Sequence, residues 1–333
     1  MPPACHLPAI KPRNRVRRCP LVPNSWIHGG GLILTVVAIL ATGSASSAAD
    51  WVPRMLLLDA AVSGNDIIAV GERGTIARSS DLGKTWTRSD ARTPATLTAI
   101  SFAPSAPNLG WAVGHDAVIL GSTDAGRTWS LRYQGPHLQD SLLDVLALDA
   151  THAIAIGAYG LCLITADAGQ TWSRQEVIAE DVHLNRITRG PTGTLYIAGE
   201  RGTLLRSTDQ GITWQALTSP YEGSFYGILP LGPTALLAHG LRGRVYHSAN
   251  DGETWTLAST PATGLYATAI RLRSERILLA GNARSLALSS DQGRSFAPSP
   301  TVATSALAEL LELANGHVLG VGEAGVTIFP PPP

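Results

Sequence analysis

Five aspartates and one asparagine recur along the chain at near-constant intervals: Asp81, Asp124, Asp167, Asp209, Asn250 and Asp291. Carboxylates serve as general acids and bases, and a pair flanking a glycosidic bond is the usual apparatus of sugar hydrolysis. That chemistry would need several of these acids to face one cavity. The pattern argues otherwise. Each sits in the same phrase, Ser/Thr-x-Asp-x-Gly-x-Thr-Trp, closing on Trp86, Trp129, Trp172, Trp214, Trp255 and, in the last copy, Phe296. The closing aromatics lie 43, 43, 42, 41 and 41 residues apart. Regular copies describe a structural turn rather than an active site. Asp81 can accept hydrogen bonds from backbone N–H groups of its own turn. Gly83 and its counterparts supply a positive φ, and the aromatic ring packs between neighbouring sheets. Unit five departs from the pattern, because Asn250-Asp251 moves the acid by one place.

Other chemistries find little footing. The nine histidines are scattered, with no His-x-x-x-His and no carboxylate cluster at ligand spacing, so no metal is expected. Gly29-Gly30-Gly31 follows no strand, which removes the nucleotide-binding reading. Cys162 sits in an apolar run, as a buried small hydrophobe would. No catalytic residue and no cofactor is expected.

The elements that carry these residues follow from the period. A fixed repeat of this size marks a propeller or a solenoid. In the first unit, Leu56 to Val62, Ile67 to Gly71, Thr75 to Ser79 and Thr85 to Arg88 are short β-rich runs separated by Gly and Asp turns. Four such strands make one antiparallel blade. A seventh unit begins at Leu307 and ends at Phe329 without a fourth strand. Trp51-Val52-Pro53-Arg54 stands where a Trp strand belongs, just ahead of the first blade. The expectation is therefore an all-β, seven-bladed propeller of four-stranded antiparallel blades, closed by the mature N-terminal strand joining the last blade.

The chain has 333 residues, of which 44% are hydrophobic and 15% charged, which suits one large packed domain. Formal net charge is zero, but residues 1–49 hold five bases and no acid. The remainder carries 20 bases against 25 acids, a mildly acidic body ill-suited to nucleic acid. The basic stretch ending at Arg18, the apolar run Gly31 to Ala41 and the small residues Ser44 to Ala49 have the order of an export signal. The reading is a signal peptide over 1–49, cleaved after Ala49, a propeller over 50–329 and a Pro-rich tail over 330–333. An uncleaved membrane anchor is the alternative for the first segment.

The repeated phrase is the Asp-box, or BNR repeat, found in sialidases and other propellers. The fuller run Ala69-Val70-Gly71-Glu72-Arg73-Gly74-Thr75-Ile76, repeated as Ala198-Gly199-Glu200-Arg201-Gly202-Thr203-Leu204, and Ser224-Phe225-Tyr226-Gly227-Ile228 resemble the photosystem II stability/assembly factor family. The resemblance spans roughly residues 50–329. It implies a seven-bladed, exported, non-catalytic assembly factor acting on a membrane protein subunit. The partner would be photosystem II in the thylakoid lumen of a photosynthetic host, and an envelope transporter-type complex in the periplasm otherwise.

Within a blade, the turns between strands two and three and the blade-to-blade connections share one face. They would present Arg73, His115, Tyr159, Arg201, Arg242 and Arg284 from turns, and Tyr133, Arg186, Phe225, Tyr226 and Tyr266 from connections. Arginine and tyrosine favour binding hot spots. The resemblance implies an arginine-rich binding patch, and Arg73, Arg201 and Arg242 are the matching turn positions. The competing reading is a solvated Arg paired with the Glu beside it. A sialidase-like hydrolase or a carbohydrate-binding propeller is the other function considered. The Arg-Ile-Pro motif expected of a sialidase is absent, Val52-Pro53-Arg54 has the reverse order, and the loops are short.

Overall fold

A computed structural model describes residues 53–137 and 139–330 of the chain. The first blade consists of β1 (Leu57–Ser63), β2 (Asp66–Gly71), β3 (Thr75–Ser79) and β4 (Thr87–Asp90), paired in that order. Blades two to six repeat this plan over residues 97–134, 142–174, 184–216, 225–257 and 266–298. The seventh sheet has three strands among the described residues, Leu307–Glu312, Val318–Gly322 and Gly325–Phe329. Every ladder is antiparallel.

Most second strands read as apolar runs, such as Ile67-Ile68-Ala69-Val70, and are buried throughout; in blade two the strand is buried only from Gly110 onward. A strand buried on both faces has a sheet on either side, as the middle of a blade does. Seven apolar clusters fill the seven junctions between neighbouring blades. One joins Leu313, Leu319 and Val321 of the last blade to Leu57, Ile67 and Trp86 of the first, so the packing closes into a ring. The Asp-box aromatics each enter one of these clusters, Trp86 at 2% exposure. Phe329 is buried in the junction of blades six and seven.

The repeated aspartates accept hydrogen bonds within their own turns. Ser79 Oγ donates to Asp81 Oδ1 at 2.8 Å, and the Gly83 amide donates back to Ser79 Oγ at 2.9 Å. The Thr85 amide and hydroxyl donate to the same carboxylate at 2.9 and 2.6 Å. Trp86 Nε1 then donates to Gly83 O at 2.9 Å, which holds the ring against the preceding blade. Slight burial pushes the Asp81 carboxyl upward, but the bonds from Thr85 and Ser79 win and hold it at about 2. In unit five the two roles are divided. Asn250 Oδ1 accepts from Ser248 Oγ and the Thr254 amide, both at 3.0 Å. Asp251 is thereby freed to accept from Tyr196 Oη and Arg206 Nη1 of blade four.

The expected closing strand at Trp51-Val52 lies outside the described residues. Pro53 is described, and its carbonyl accepts a hydrogen bond from the Val326 amide at 3.3 Å.

Candidate functional site

The face opposite the Asp-boxes is built from one recurring device. A tight turn joins strands two and three, and it is bonded to the connection on each side of it. In blade one the Glu72 amide donates to Leu56 O at 3.0 Å, and the Gly74 amide donates to Ala95 O at 2.9 Å. Glu200 and Gly202 bond likewise to His183 O and Gly223 O, and Leu241 and Gly243 to Ser224 O and Gly264 O. Glu323 bonds to Ala306 O, and Val326 to Pro53 O, which lies against Gly325 as Thr93 O lies against Gly74. The result is a hydrogen-bonded rim.

The apex of the turn is left-handed in blades one to six. Arg73, Tyr159, Arg201 and Arg242 have φ of 55°, 54°, 51° and 57°. This backbone suits Gly or Asn and costs a long side chain roughly 1 kcal/mol. It also throws the side chain outward, and all four are exposed. The glycine after the apex is required in blade one: a Cβ at Gly74 would stand 1.9 Å from Thr93 O.

The glutamates do not neutralise the arginines. Glu72 Oε1 accepts from the Leu56 amide at 3.2 Å, and Glu200 Oε2 from the His183 amide at 3.2 Å. Both carboxylates turn inward, onto the start of their own blades. Arg73, Arg201, Arg242 and Arg284 have no hydrogen-bond or ion-pair partner among the described residues.

Around blades three and four the expected residues come together. The Tyr159 ring, 57% exposed, meets His183 edge-on with centroids 5.0 Å apart. His183 Nδ1 is 3.5 Å from Glu200 Oε1, and Arg201 follows in the same turn. Beside Arg201 runs an apolar groove of about 450 Å³, lined by Val177, Ile178, Val182, Leu204 and Trp214. An unpaired guanidinium at the margin of an apolar groove suits a segment with a carboxylate next to a hydrophobic side chain.

Other expected residues lie elsewhere. Phe225 is fully buried at the start of its strand, ringed by Tyr221 and Tyr246, and presents nothing to a partner. Tyr266 is its counterpart in blade six and is equally buried. Tyr133 is half-buried in the outer strand of blade two, against the core of the next junction. Tyr226 is half-buried beside Phe225. His115 is exposed, but it takes the position of Glu72 and pairs with Ser141 Oγ at 2.9 Å. Arg284 occupies the position of Gly74, with φ 61°, while Ala283 holds the apex.

Arg186 was expected on the rim and instead points into the central channel. The third position of each first strand lies at a β-bulge or beside one: Asp59, Ala99, Asp144, Arg186, Gly227, Thr268 and Glu309. Arg186 Nη2 donates to Glu309 Oε2 at 2.5 Å, and its Nε is 3.8 Å from Asp144. Asp59 accepts from the amides of Ala60 and Ile100, and Asp144 from those of Val145 and Ile187, each at 2.8 Å. Each aspartate thus fastens its own bulge to another blade's first strand. Burial pushes the Asp144 carboxyl up to about 6, against the pull of Arg186, and raises Asp59 well above its ordinary range. His239 is buried beside Gly227, and burial lowers it to about 4. A polar cavity of about 160 Å³ lies along this side of the channel. These acids fasten blades together.

Comparison with known proteins places this geometry. Residues 132–274 match the model of a family described as Photosynthesis system II assembly factor YCF48. The chain resembles that family, as the repeats implied. The matched stretch contains Tyr159, Arg201 and Arg242 but neither Arg73 nor Arg284. Two solved structures of YCF48 superpose on the chain. "YCF48 bound to D1 peptide" has 22% identity and a TM-score of 0.69, over 84% of this chain and 94% of that one. YCF48 from Cyanidioschyzon merolae has 17% identity and a TM-score of 0.69, over 84% and 98%. The WD40 β-propeller domain of Doa1 follows with 12% identity and a TM-score of 0.65, over 83% and 93%. At these identities the likeness is one of fold. No curated protein matches the chain in sequence.

Proposed function

We propose that the protein is an exported, non-catalytic docking platform that assists assembly or stability of a membrane protein complex. The match to the YCF48 family carries this reading. The docking surface is the rim around Arg201, Arg242 and Tyr159, where the guanidiniums stand unpaired and Arg201 borders an apolar groove. The partner is an extended segment of a membrane protein subunit, carrying carboxylates and at least one apolar side chain. One relative was solved with a D1 peptide, which favours a partner of the photosystem II kind. The envelope-transporter partner draws no support from these relatives. Arg73 and Arg284 extend the arginine arc and contribute less.

In blades one to five each turn is bonded to the connection on either side, so the rim there is rigid and docking needs little rearrangement. Reversing both Arg201 and Arg242 to Glu should reduce capture of the partner subunit at least tenfold and leave the melting temperature within about 2 °C. Unchanged capture would refute the reading, and a collapse in stability would show the arginines to be structural. Export is tested separately: N-terminal sequencing of the protein from fractionated cells should begin at Asp50.

A further inference from the structure

A second charged feature lies at the margin of blade one. A groove of about 330 Å³ is lined by Arg73, Arg88, Ser89, Asp90, Arg92 and Thr93. Arg73 comes from the rim turn, Arg88 from β4 and Arg92 from the connection to blade two. The two walls are fastened together. The Gly74 amide donates to Ala95 O at 2.9 Å, and the bare Cα of Gly74 lets that turn close onto Thr93. The Arg92 amide donates to Asp90 Oδ1 at 2.9 Å, which fixes the connecting loop. The Thr93 hydroxyl accepts the Ala95 amide at 3.1 Å and keeps its own hydrogen to donate.

Three guanidiniums therefore share one groove with a single carboxylate. Asp90 stands 3.8 Å from Arg92 Nε, with the two side chains 80% and 79% exposed, and so neutralises it weakly in water. Arg73 and Arg88 have no partner among the described residues. The body of the protein is acidic, so this local excess of bases runs against its composition. Arg73 and Arg92 both hold left-handed backbone, with φ of 55° and 53°, where glycine would be easier. The turns do not need the arginine side chains. Guanidinium forks match the paired oxygens of phosphates and carboxylates.

We infer that this groove binds an oxyanion carrying two or more negative charges, either a phosphate group or closely spaced carboxylates. The site shares Arg73 with the end of the arginine arc but is centred on blade one, apart from Arg201 and Arg242, and its failure would leave the docking reading intact.

The test is calorimetric titration of the full chain at low salt with two probes, inorganic pyrophosphate and a tetraglutamate peptide. One-to-one binding of at least one probe is expected. It should weaken at least tenfold in Arg88→Gln and in the double variant Arg73→Gly/Arg92→Gly, whose glycines suit the backbone and preserve the fold. Binding of pyrophosphate alone assigns a phosphate site; binding of the peptide alone assigns an acidic segment. The pair Arg201→Glu/Arg242→Glu should leave this binding unchanged. Failure of both probes, retention of affinity in the groove variants, or equal loss in the Arg201/Arg242 pair would each overturn the inference.

Discussion

The Arg186 guanidinium of blade four spans the central channel to the Glu309 carboxylate of blade seven at 2.5 Å. It also lies 3.8 Å from Asp144 of blade three. One side chain therefore ties three blades from inside, where seven junction cores tie them from between. Removing one partner of such a buried group strands the other charges. Arg186→Met should cost about 3–5 kcal/mol, read by denaturant unfolding. Recovery of much of that loss in the pair Arg186→Met/Glu309→Met would confirm that the deficit comes from unpaired carboxylates.

Two sets of carboxylates give the stability a predicted pH optimum. Burial raises Asp144 to about 6 and Asp59 higher than usual. A raised carboxyl holds its proton more tightly when folded, so its contribution is lost as pH climbs from about 4 to 6. The box acids Asp81, Asp167, Asp209 and Asp291 are held near 2, so their contribution is lost as pH falls below about 4. The protein should therefore melt higher at pH 5 than at pH 7.5, with Asp144 accounting for roughly 1 kcal/mol over that interval. A flat or rising profile between those pH values would contradict this assignment.

The Asp-box is predicted to tolerate an amide better than truncation. Asp124 accepts from Ser122 Oγ and the Thr128 amide at Oδ1, both at 2.9 Å. Asn250 does the same with its amide oxygen in blade five. Asp124→Asn should cost well under 1 kcal/mol, and Asp124→Ala about 1–2 kcal/mol, by thermal unfolding.

Two glycines with the same φ should respond differently to alanine. Gly64, at φ 61°, would meet nothing within 4 Å, whereas Gly74, at φ 62°, would meet Thr93 O at 1.9 Å. Gly64→Ala should cost about 1 kcal/mol, from backbone strain alone. Gly74→Ala should cost several times more and disturb the arginine turn above it.

The repeat made the architecture readable. Trp86 and its counterparts mark six blades and the run from Leu307 to Phe329 the seventh, and the six aromatics also hold junction cores. The rim was readable where the turn is regular, at Arg73, Arg201 and Arg242. It failed in blade six, where Ala283-Arg284 replaces the Arg-Gly pair and the apex moves by one residue. Phe225 and Tyr266 were read as connection residues because each follows a long loop. Aligned with Leu57, Leu97, Leu142, Leu184 and Leu307, they are the buried first residues of their blades. The channel was not readable in advance. A bulge turns the third residue inward, and no local signal in Asn185-Arg186-Ile187 announces it. The glutamates beside the arginines were ambiguous for a similar reason: only the fold shows Glu72 and Glu200 reaching for backbone amides rather than for their neighbours.

The central claim is that partners dock on the arginine rim and not on the Asp-box face. A photo-crosslinking residue placed at Arg201 or Arg242, and for comparison at Lys84 or Ile212 on the box face, tests it inside cells. Adducts with one integral membrane protein from the rim positions, and none from the box positions, are the predicted result. Adducts from Lys84 or Ile212 with an unreactive rim would contradict it.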